Sequence, residues 1–208
     1  MNRQKLIIVG ARGMGRELAS FIADESAFEI LGFLDDSNNG PTPSHSILGR
    51  VEDWHVSEGE VYLVALGDPT WRRHYVELLK AKGANFATYI SKRAIVGTEV
   101  QIGEGTMICP EAIVTTNVSI GRHVLLNIAT SISHDCQVKD YVTLSPGARI
   151  PGRCSLDEDV FLGVNAMLLP DVTLAKRTTV GAGAVVTKSI HEDACVLAGV
   201  PAKVIKRG

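Results

Sequence analysis

Apolar and polar positions follow two different periods along the chain, and the change falls near residue 88. Before it, short apolar runs over residues 6–9, 29–34 and 61–66 predict buried β-strands. Between and after these runs, apolar residues at helical spacing predict helices over 16–23 and 70–82. Strands that alternate with helices in this order predict a small parallel α/β domain.

The ends of these elements carry recognisable signals. Thr70 is a candidate N-cap for the second helix, and Gly83 is a candidate stop at its C-terminus. Residues 37–46 are rich in Asn, Gly, Pro and Ser, which predicts a loop.

From residue 89 onward the helical period gives way to a period of six. Every sixth position from Ile90 to Val186 is aliphatic, and the position four residues later, from Ala94 to Ala184, is always Ala, Val, Thr or Cys. Aliphatic residues make up about a third of ordinary sequence, so chance does not produce this series. A triangular coil of β-strands accepts one large and one small inward residue on each flat face, with three faces to a turn. Residues 18 apart are therefore predicted to stack.

Glycines and cysteines fit into the same repeat. Five glycines directly follow an aliphatic position, where we expect turns of unusual backbone conformation: Gly97, Gly103, Gly121, Gly163 and Gly181. Cys136 and Cys154 are 18 apart and are predicted to pack on each other inside the coil. The four cysteines have neither CxxC nor metal-ligand spacing, so we expect reduced thiols rather than disulfides.

Composition limits the classes of ligand that the protein is expected to bind. The 208 residues carry a formal net charge of −2, which gives no field strong enough to gather nucleic acid or an anionic membrane. The chain has no apolar stretch long enough to cross a bilayer and no signal-peptide core, so we expect a cytoplasmic protein. A small neutral or anionic substrate is expected rather than a polymer.

A glycine-rich turn connects the first predicted strand to the first helix. The segment Gly10-Ala11-Arg12-Gly13-Met14-Gly15 lacks the dinucleotide spacing, but it places backbone amides at a helix N-terminus, where a phosphate can bind. Asp35 and Asp36 end the next strand and can accept hydrogen bonds from a ribose or a base. A domain of about 90 residues is large enough for one mononucleotide-binding half only. An ordinary tight turn followed by solvated aspartates is the alternative. The predicted substrate-binding residues of this domain are Gly10, Arg12, Gly13, Asp35, Asp36 and Gly67.

One histidine stands out in the repeat. His134 lies two residues after Ile132, at a corner of the coil, because Ile132 and Cys136 occupy the inward positions. An outward imidazole beside Asp135 can accept a proton near neutral pH, with the carboxylate fixing its tautomer. On the residues alone, a solvated surface histidine is the alternative. No two histidines have zinc-ligand spacing, so we expect no metal.

The whole chain resembles a known family of enzymes. The uninterrupted hexapeptide repeat is similar to the left-handed parallel β-helix of the hexapeptide-repeat acyltransferases. The order of motifs then resembles the sugar acetyltransferases related to sialic-acid O-acetyltransferase and to the bacillosamine and perosamine N-acetyltransferases. These motifs are Asn127, Ser133-His134-Asp135-Cys136, Ser145-Pro146-Gly147, the segment 180–186, and the terminal segment 198–203.

The resemblance implies an α/β, Rossmann-like nucleotide-sugar-binding domain over residues 1–88. A left-handed parallel β-helix acetyltransferase domain with a C-terminal cap then covers 89–208. It also implies acetyl-CoA as co-substrate, His134 as general base, Asp135 as the group that orients the ring, and a homotrimer with acetyl-CoA between adjacent prisms. Asn127 is implied to face the substrate, and the Gly152 amide to stabilise the oxyanion. The residues implied to contact acetyl-CoA are Thr143, Gly152, Gly163, Val164, Ala182, Gly183 and Lys203.

The chain also departs from its relatives. Asp135 replaces the more frequent Glu, Thr143 stands where some relatives have a second His, and Met14 stands where family members generally have a His. The predicted reaction is direct acetyl transfer to the 4-amino group of a nucleotide-linked 4-amino-4,6-dideoxy sugar. O-acetylation of sialic acid or a related sugar is the alternative within the enzyme class. A non-catalytic scaffold that binds sugar nucleotides is the alternative outside it.

Overall fold

The structure is a computed structural model that describes residues 3–23, 27–37 and 45–208. It divides into two compact units, residues 1–88 and 89–208. The loop predicted over residues 37–46 lies mostly outside the described residues. Within the described part of the chain, no helix has the length and apolar character needed to cross a membrane.

The first unit contains a five-stranded parallel sheet in the order β3-β2-β1-β4-β5. Its strands are β1 (Gln4–Val9), β2 (Phe28–Leu34), β3 (Ile47–Gly49), β4 (Glu60–Val64) and β5 (Asn85–Phe86). Two helices, α1 (Gly13–Ala23) and α2 (Pro69–Ala81), connect strands of this sheet. The predicted α/β fold is thus confirmed. The two outer strands escape prediction because they have only three and two residues.

The order of the strands determines where a ligand can bind. From the central strand β1, the chain adds β2 and β3 on one side and then β4 and β5 on the other. In open parallel sheets, ligands bind outside the carboxyl ends of the strands at such a reversal of strand order. In this unit the reversal falls between β1 and β4.

Helix α2 begins at Pro69, one residue earlier than the sequence predicts. Its N-cap is Asp68 rather than Thr70, because the Asp68 carboxylate accepts hydrogen bonds from the amides of Thr70 and Trp71, at 2.8 and 3.2 Å. Pro69 occupies the first helical position, where its missing N–H costs nothing. The predicted stop is confirmed, since Gly83 follows the C-cap in the left-handed region, at φ +84°.

The second unit is a parallel β-solenoid of three sheets. The first sheet contains β7 (Ile95–Val96), β10 (Ile113–Val114), β13 (Ser131–Ile132), β16 (Arg149–Ile150), β19 (Met167–Leu168) and β22 (Val185–Val186). The second contains β8 (Val100–Ile102), β11 (Val118–Ile120), β14 (Gln137–Val138), β17 (Ser155–Leu156) and β20 (Thr173–Leu174). The third contains β6 (Tyr89–Ile90), β9 (Met107–Ile108), β12 (Leu125–Leu126), β15 (Thr143–Leu144), β18 (Phe161–Leu162), β21 (Thr179–Val180), β23 (Val196–Ala198) and β24 (Lys203–Lys206). The last pair, β23 and β24, is antiparallel and ends the stack.

The register of the sheets confirms the predicted stacking of residues 18 apart. Ile132 pairs with Val114 on one side and with Ile150 on the other. From Ile108 to Val186 every sixth aliphatic residue is buried, whereas Ile90, the first of the series, is 41% exposed. Cys136 and Cys154 are both buried and form no disulfide, and the amide of Cys154 donates to Cys136 Sγ at 3.4 Å.

The turns of the solenoid correct one expectation from the sequence. The unusual backbone conformation occurs three residues after the aliphatic position, in every hexad from 96 to 180, and not at the glycines that directly follow it. At four of the five, all but Gly181, lack of space requires glycine instead. A Cβ at Gly97 would lie 2.0 Å from the Thr115 carbonyl oxygen, and one at Gly103 would lie 2.6 Å from the backbone of Gly121.

We predict that Gly15→Ala destabilises the first unit by about 2 kcal/mol or more, as overpacking does. The added Cβ would lie 1.7 Å from the carbonyl oxygen of Gly10, which is backbone and cannot rotate away. Both tryptophans of the chain, Trp54 and Trp71, lie in this unit, so the urea midpoint of their fluorescence reports its unfolding. Gly13→Ala is the matched control, because no atom lies within 4 Å of its added Cβ. Equal midpoints for the two variants would contradict the prediction.

Candidate active site

A cavity of about 520 Å³ opens at the carboxyl ends of β1, β2 and β4, at the reversal of strand order. Its lining includes most of the residues that the sequence predicts for substrate binding: Gly10, Arg12, Asp35, Asp36 and Gly67. Gly13 begins α1 immediately behind this loop, and the space in front of its Cα is open. The structure therefore brings these predicted residues together around one cavity.

The glycine-rich turn brings the N-terminus of α1 close to β1. Gly10 has φ +96°, a conformation that favours glycine, and Gly15 lies so close to the Gly10 carbonyl that no side chain fits between them. The first amides of a helix have no acceptor within the helix. Since Arg12 and Met14 line the cavity, this helix N-terminus lies beside it and favours an anion there.

Asp35 connects two loops of the cavity. Its Oδ2 accepts from the Ala11 amide at 2.7 Å, and its Oδ1 accepts from the Ser37 amide at 2.7 Å and from the Ser37 hydroxyl. Burial opposes ionisation of this carboxyl, but the hydrogen bonds from Ser37 and Ala11 hold its pKa below the ordinary value. The Asp35 carboxylate thus holds the glycine-rich turn in place, and its predicted contact with a ligand stays a prediction.

Asp36 is also engaged by the protein. Its Oδ1 accepts from the Val51 amide at 2.8 Å, and Arg50 Nε lies 3.7 Å away. Burial and a hydrogen bond to Asp36 raise the pKa of Tyr75 to about 12, so this phenol stays protonated and donates to the carboxylate. A ligand would meet an Asp36 carboxylate that is already held in position.

Two residues on α2 belong to this site although the sequence analysis did not single them out. Trp71 lines the cavity, is 58% exposed and stacks on Tyr75 with the ring centroids 6.3 Å apart. A tryptophan in the first turn of a helix that follows a strand end was a signal that could have identified it. Arg72 is fully buried and donates to the carbonyls of Leu66 and Gly67, at 2.5 and 3.3 Å. Its helical spacing gave no sign that it would hold the loop after β4.

In the second unit, His134 lies in the turn after β13, with about half of its side chain exposed. Its Nδ1 lies 2.7 Å from Asp135 Oδ2, and Asn117 Nδ2 donates to Asp135 Oδ1 at 2.6 Å. The hydrogen bonds from His134 and Asn117 lower the pKa of Asp135, which is therefore ionised at neutral pH. A carboxylate can only accept, so the neutral imidazole carries its proton on Nδ1 and leaves the lone pair of Nε2 free.

The imidazole lies directly over Gly152, one coil further along. A Cβ on Gly152 would lie 2.6 Å from His134 Cε1 and 2.7 Å from Nε2, so only glycine leaves room for the ring. The carbonyl of Gly152 accepts from the Asp171 amide at 3.2 Å, while its N–H has no acceptor among residues 3–23, 27–37 and 45–208. An unpaired N–H thus lies near the candidate base.

The other residues implied to bind acetyl-CoA lie elsewhere on the prism. Gly163 and Val164 follow β18, and Ala182 and Gly183 follow β21, both in the third sheet. His134 follows a strand of the first sheet. A single chain therefore places these two groups at different corners of the triangle.

Three further predicted residues also lie apart from His134. Thr143 lies in β15 of the third sheet and is only 2% exposed. Asn127 lies in the turn after β12, where its Oδ1 accepts from the Ile128 amide at 2.7 Å. Lys203 is exposed and begins β24. No group of three or more His, Cys, Asp or Glu residues in the described ranges is arranged to hold a metal ion.

Comparisons with known proteins show what the chain is similar to. The family model of the PglD N-terminal domain matches residues 5–79, and no curated protein matches the chain. The acetyltransferase domain of PglB from Neisseria gonorrhoeae is 29% identical, with a TM-score of 0.90 over 98% of this chain and 100% of that one. WeeI from Acinetobacter baumannii is 28% identical, with a TM-score of 0.86 over 96% of this chain and 99% of that one. PerB from Caulobacter crescentus, solved with CoA and GDP-perosamine, is 25% identical, with a TM-score of 0.89 over 97% of both chains.

The chain, with its solenoid, is thus similar over almost its whole length to solved hexapeptide-repeat sugar acetyltransferases, which confirms the resemblance found in the sequence. The first unit is similar to the PglD N-terminal domain.

We predict that Gly152→Ala breaks the hydrogen bond between His134 and Asp135, because the new methyl group occupies the space of the ring. The imidazole Nδ1–H resonance, observed by ¹⁵N-labelled NMR, should be lost or shifted toward that of a solvated histidine. Thr116→Ala is the matched control, since Thr116 lies at the same corner but its hydroxyl contacts Thr98. An unchanged imidazole spectrum in Gly152→Ala would show that the ring does not lie over this glycine.

Proposed function

We propose that the chain transfers the acetyl group of acetyl-CoA to the 4-amino group of a nucleotide-linked 4-amino-4,6-dideoxy sugar. The observation that carries the proposal is the outward imidazole of His134, oriented by Asp135 over Gly152 at a corner of the solenoid. Two matched structures support the choice of substrates. The PglB domain has been solved with acetyl coenzyme A, and PerB with CoA and GDP-perosamine.

In the proposed reaction, the neutral amine attacks the thioester carbonyl carbon while Nε2 of His134 takes a proton from the attacking nitrogen. The charge that develops on the carbonyl oxygen is stabilised by the N–H of Gly152, which has no acceptor among the described residues. The C–S bond then breaks, and the CoA thiolate leaves and takes up the proton held by the imidazolium. The carboxylate of Asp135 accepts from Nδ1–H throughout.

The acetyl group is proposed to pass directly to the amine, without a covalent enzyme intermediate. The thiol nearest to His134 in sequence, Cys136, is buried and donates to the Pro151 carbonyl at 3.1 Å. The Cys154 thiol is buried beside it, and its hydrogen bond with Cys136 and its burial both raise its pKa. Neither thiol is accessible as a nucleophile.

The nucleotide is proposed to bind the cavity of the first unit. A phosphate would lie at the N-terminus of α1 next to Arg12, whose Nε donates to the Ser37 hydroxyl at 3.2 Å. The base would stack on the ring of Trp71, which is 58% exposed. The loop hydrogen bonds of Asp35 and Arg72 hold this cavity ready for the ligand.

A homotrimer is the assembly we propose, with acetyl-CoA bound between neighbouring chains. The support is that His134 and the implied acetyl-CoA residues Gly163 and Gly183 lie at different corners of one prism. A neighbouring chain supplies the missing corner. Light scattering that gave the mass of a single chain would contradict this arrangement.

The predicted location in the cytoplasm stays a prediction.

We predict that His134→Ala lowers kcat by about 100-fold or more, the usual contribution of a general base. The measurement is release of the CoA thiol from acetyl-CoA with UDP-, GDP- and dTDP-linked 4-amino sugars. His191→Ala is the control, because His191 is exposed and lies in a different turn. Full turnover in His134→Ala would remove this residue from the chemistry. If no 4-amino sugar supported thiol release but a sialic acid did, O-acetylation would be favoured, and nucleotide binding without any thiol release would favour the scaffold function.

We predict that Trp71→Leu weakens the binding of UDP, GDP or dTDP by about 10-fold, since stacking of one base is worth roughly 1–3 kcal/mol. Titration calorimetry with each nucleotide measures the loss. Ribose 5-phosphate, which has no base, is the matched ligand control and should bind native protein and variant equally. Trp71→Phe keeps an aromatic face and should retain most of the affinity. An equal loss for ribose 5-phosphate would show that Trp71 shapes the cavity without stacking a base.

A further inference from the structure

Four charged or polar side chains form a column on the corner that carries His134. The column consists of Asn117, Asp135, Arg153 and Asp171, which are spaced by 18 residues. All four have left-handed φ values, between 54° and 66°. Because neighbouring strands lie about 4.8 Å apart, each side chain of the column lies within reach of the one before and the one after.

Within the column, Arg153 has two carboxylates within reach. Arg153 lies between two carboxylates, Asp135 one coil before it and Asp171 one coil after it. It binds Asp171 in a bidentate pair, with Nε 2.6 Å from Oδ1 and Nη2 2.9 Å from Oδ2. Asp171 is also the main reason why the pKa of Arg153 is raised, and Asp135 makes a smaller contribution to the same rise.

If Arg153 turned to Asp135, it would disturb the hydrogen bond between Asp135 and His134. Its Oδ1 already accepts from Asn117, and its Oδ2 lies against Nδ1 of His134. A guanidinium fork binds both oxygens of a carboxylate, so Arg153 would compete with the imidazole for Oδ2.

We propose that Asp171 is a positioning residue that holds Arg153 away from Asp135, so that the Asp135 carboxylate stays available to orient His134. Asp171 acts through two intervening side chains and touches neither the imidazole nor a reacting atom. The expected loss of activity rests on the proposed role of His134 as general base. The expected change in the imidazole tautomer does not depend on that role.

Asp171→Asn tests the proposal, because asparagine tolerates the left-handed conformation at this position and removes only the charge. We expect Arg153 to turn to Asp135, and imidazole ¹⁵N NMR should then show His134 losing the Nδ1–H tautomer that Asp135 selects. With an amino-sugar substrate, kcat should fall about tenfold, a part of what a general base contributes.

The double variant gives the decisive result. Arg153→Gln alone should leave the His134 spectrum and kcat close to native, because no competitor remains for Asp135. Arg153→Gln combined with Asp171→Asn should restore both toward native. If the Arg153–Asp171 pair were only structural, either single variant would cause a similar loss and the double variant would rescue nothing. That outcome, or an unchanged His134 spectrum in Asp171→Asn, would overturn the proposal.

Glu158→Gln is the matched control for removing a stacked ion pair. Glu158 accepts from Lys176 at 2.8 Å, across the same spacing of 18 residues but at another corner. It should leave the His134 tautomer unchanged. The NMR results also separate this proposal from the proposed function. If His134→Ala kept full turnover, the base assignment would fail, while the tautomer pattern would still decide whether Asp171 directs Arg153.

Discussion

The parallel register between successive coils is the constraint on which the second unit depends. Strand hydrogen bonds align each residue with those 18 before and after it, as in the pairs formed by Ile132 with Val114 and Ile150. The same register carries into the turns, where the Arg153 amide donates to the His134 carbonyl at 3.0 Å. The imidazole therefore lies over Gly152 because of the backbone register, and its hydrogen bond to Asp135 then fixes its orientation.

This register has a local cost. In every hexad from 96 to 180 one residue adopts a left-handed φ, and most of these residues are not glycine. Such a conformation costs a residue with a side chain about 1–2 kcal/mol. At many of these positions the amide is bonded to the preceding coil, as Asp135 is to Thr116 and Asp171 to Gly152, at 3.3 and 3.2 Å. Burial of the aliphatic series inside the prism also compensates this conformational cost, because it stabilises the fold by about 25 cal/mol for each Å² of apolar surface removed from water.

The sequence predicted the coil and the outward histidine because both follow from a strict period. It did not predict where the turns change conformation, since the left-handed position is occupied by residues as different as Glu99, Tyr141 and Arg177. In the first unit the sheet and both helices were predictable, but the buried guanidinium of Arg72 was not, because helical spacing does not show which polar residue faces a loop carbonyl. The N-cap of α2 was misplaced for a related reason. Asp68 and Thr70 are both good caps, and only the geometry of the loop decides between them.

The proximity of the four side chains in the charged column is a further consequence of the repeat. The spacing of 18 that identified Cys136 and Cys154 as neighbours applies equally to Asn117, Asp135, Arg153 and Asp171, so their proximity could have been predicted from the sequence. The partner that Arg153 takes could not, because both carboxylates are one coil away and only the side-chain conformation separates them. Exposed ion pairs of this kind contribute little to stability, because solvent screens them. Their effect on the solenoid is therefore small, whereas their effect on which groups reach Asp135 is large. In a fold that repeats the same geometry at every coil, the identity of a few corner side chains is what makes one turn chemically different from the next.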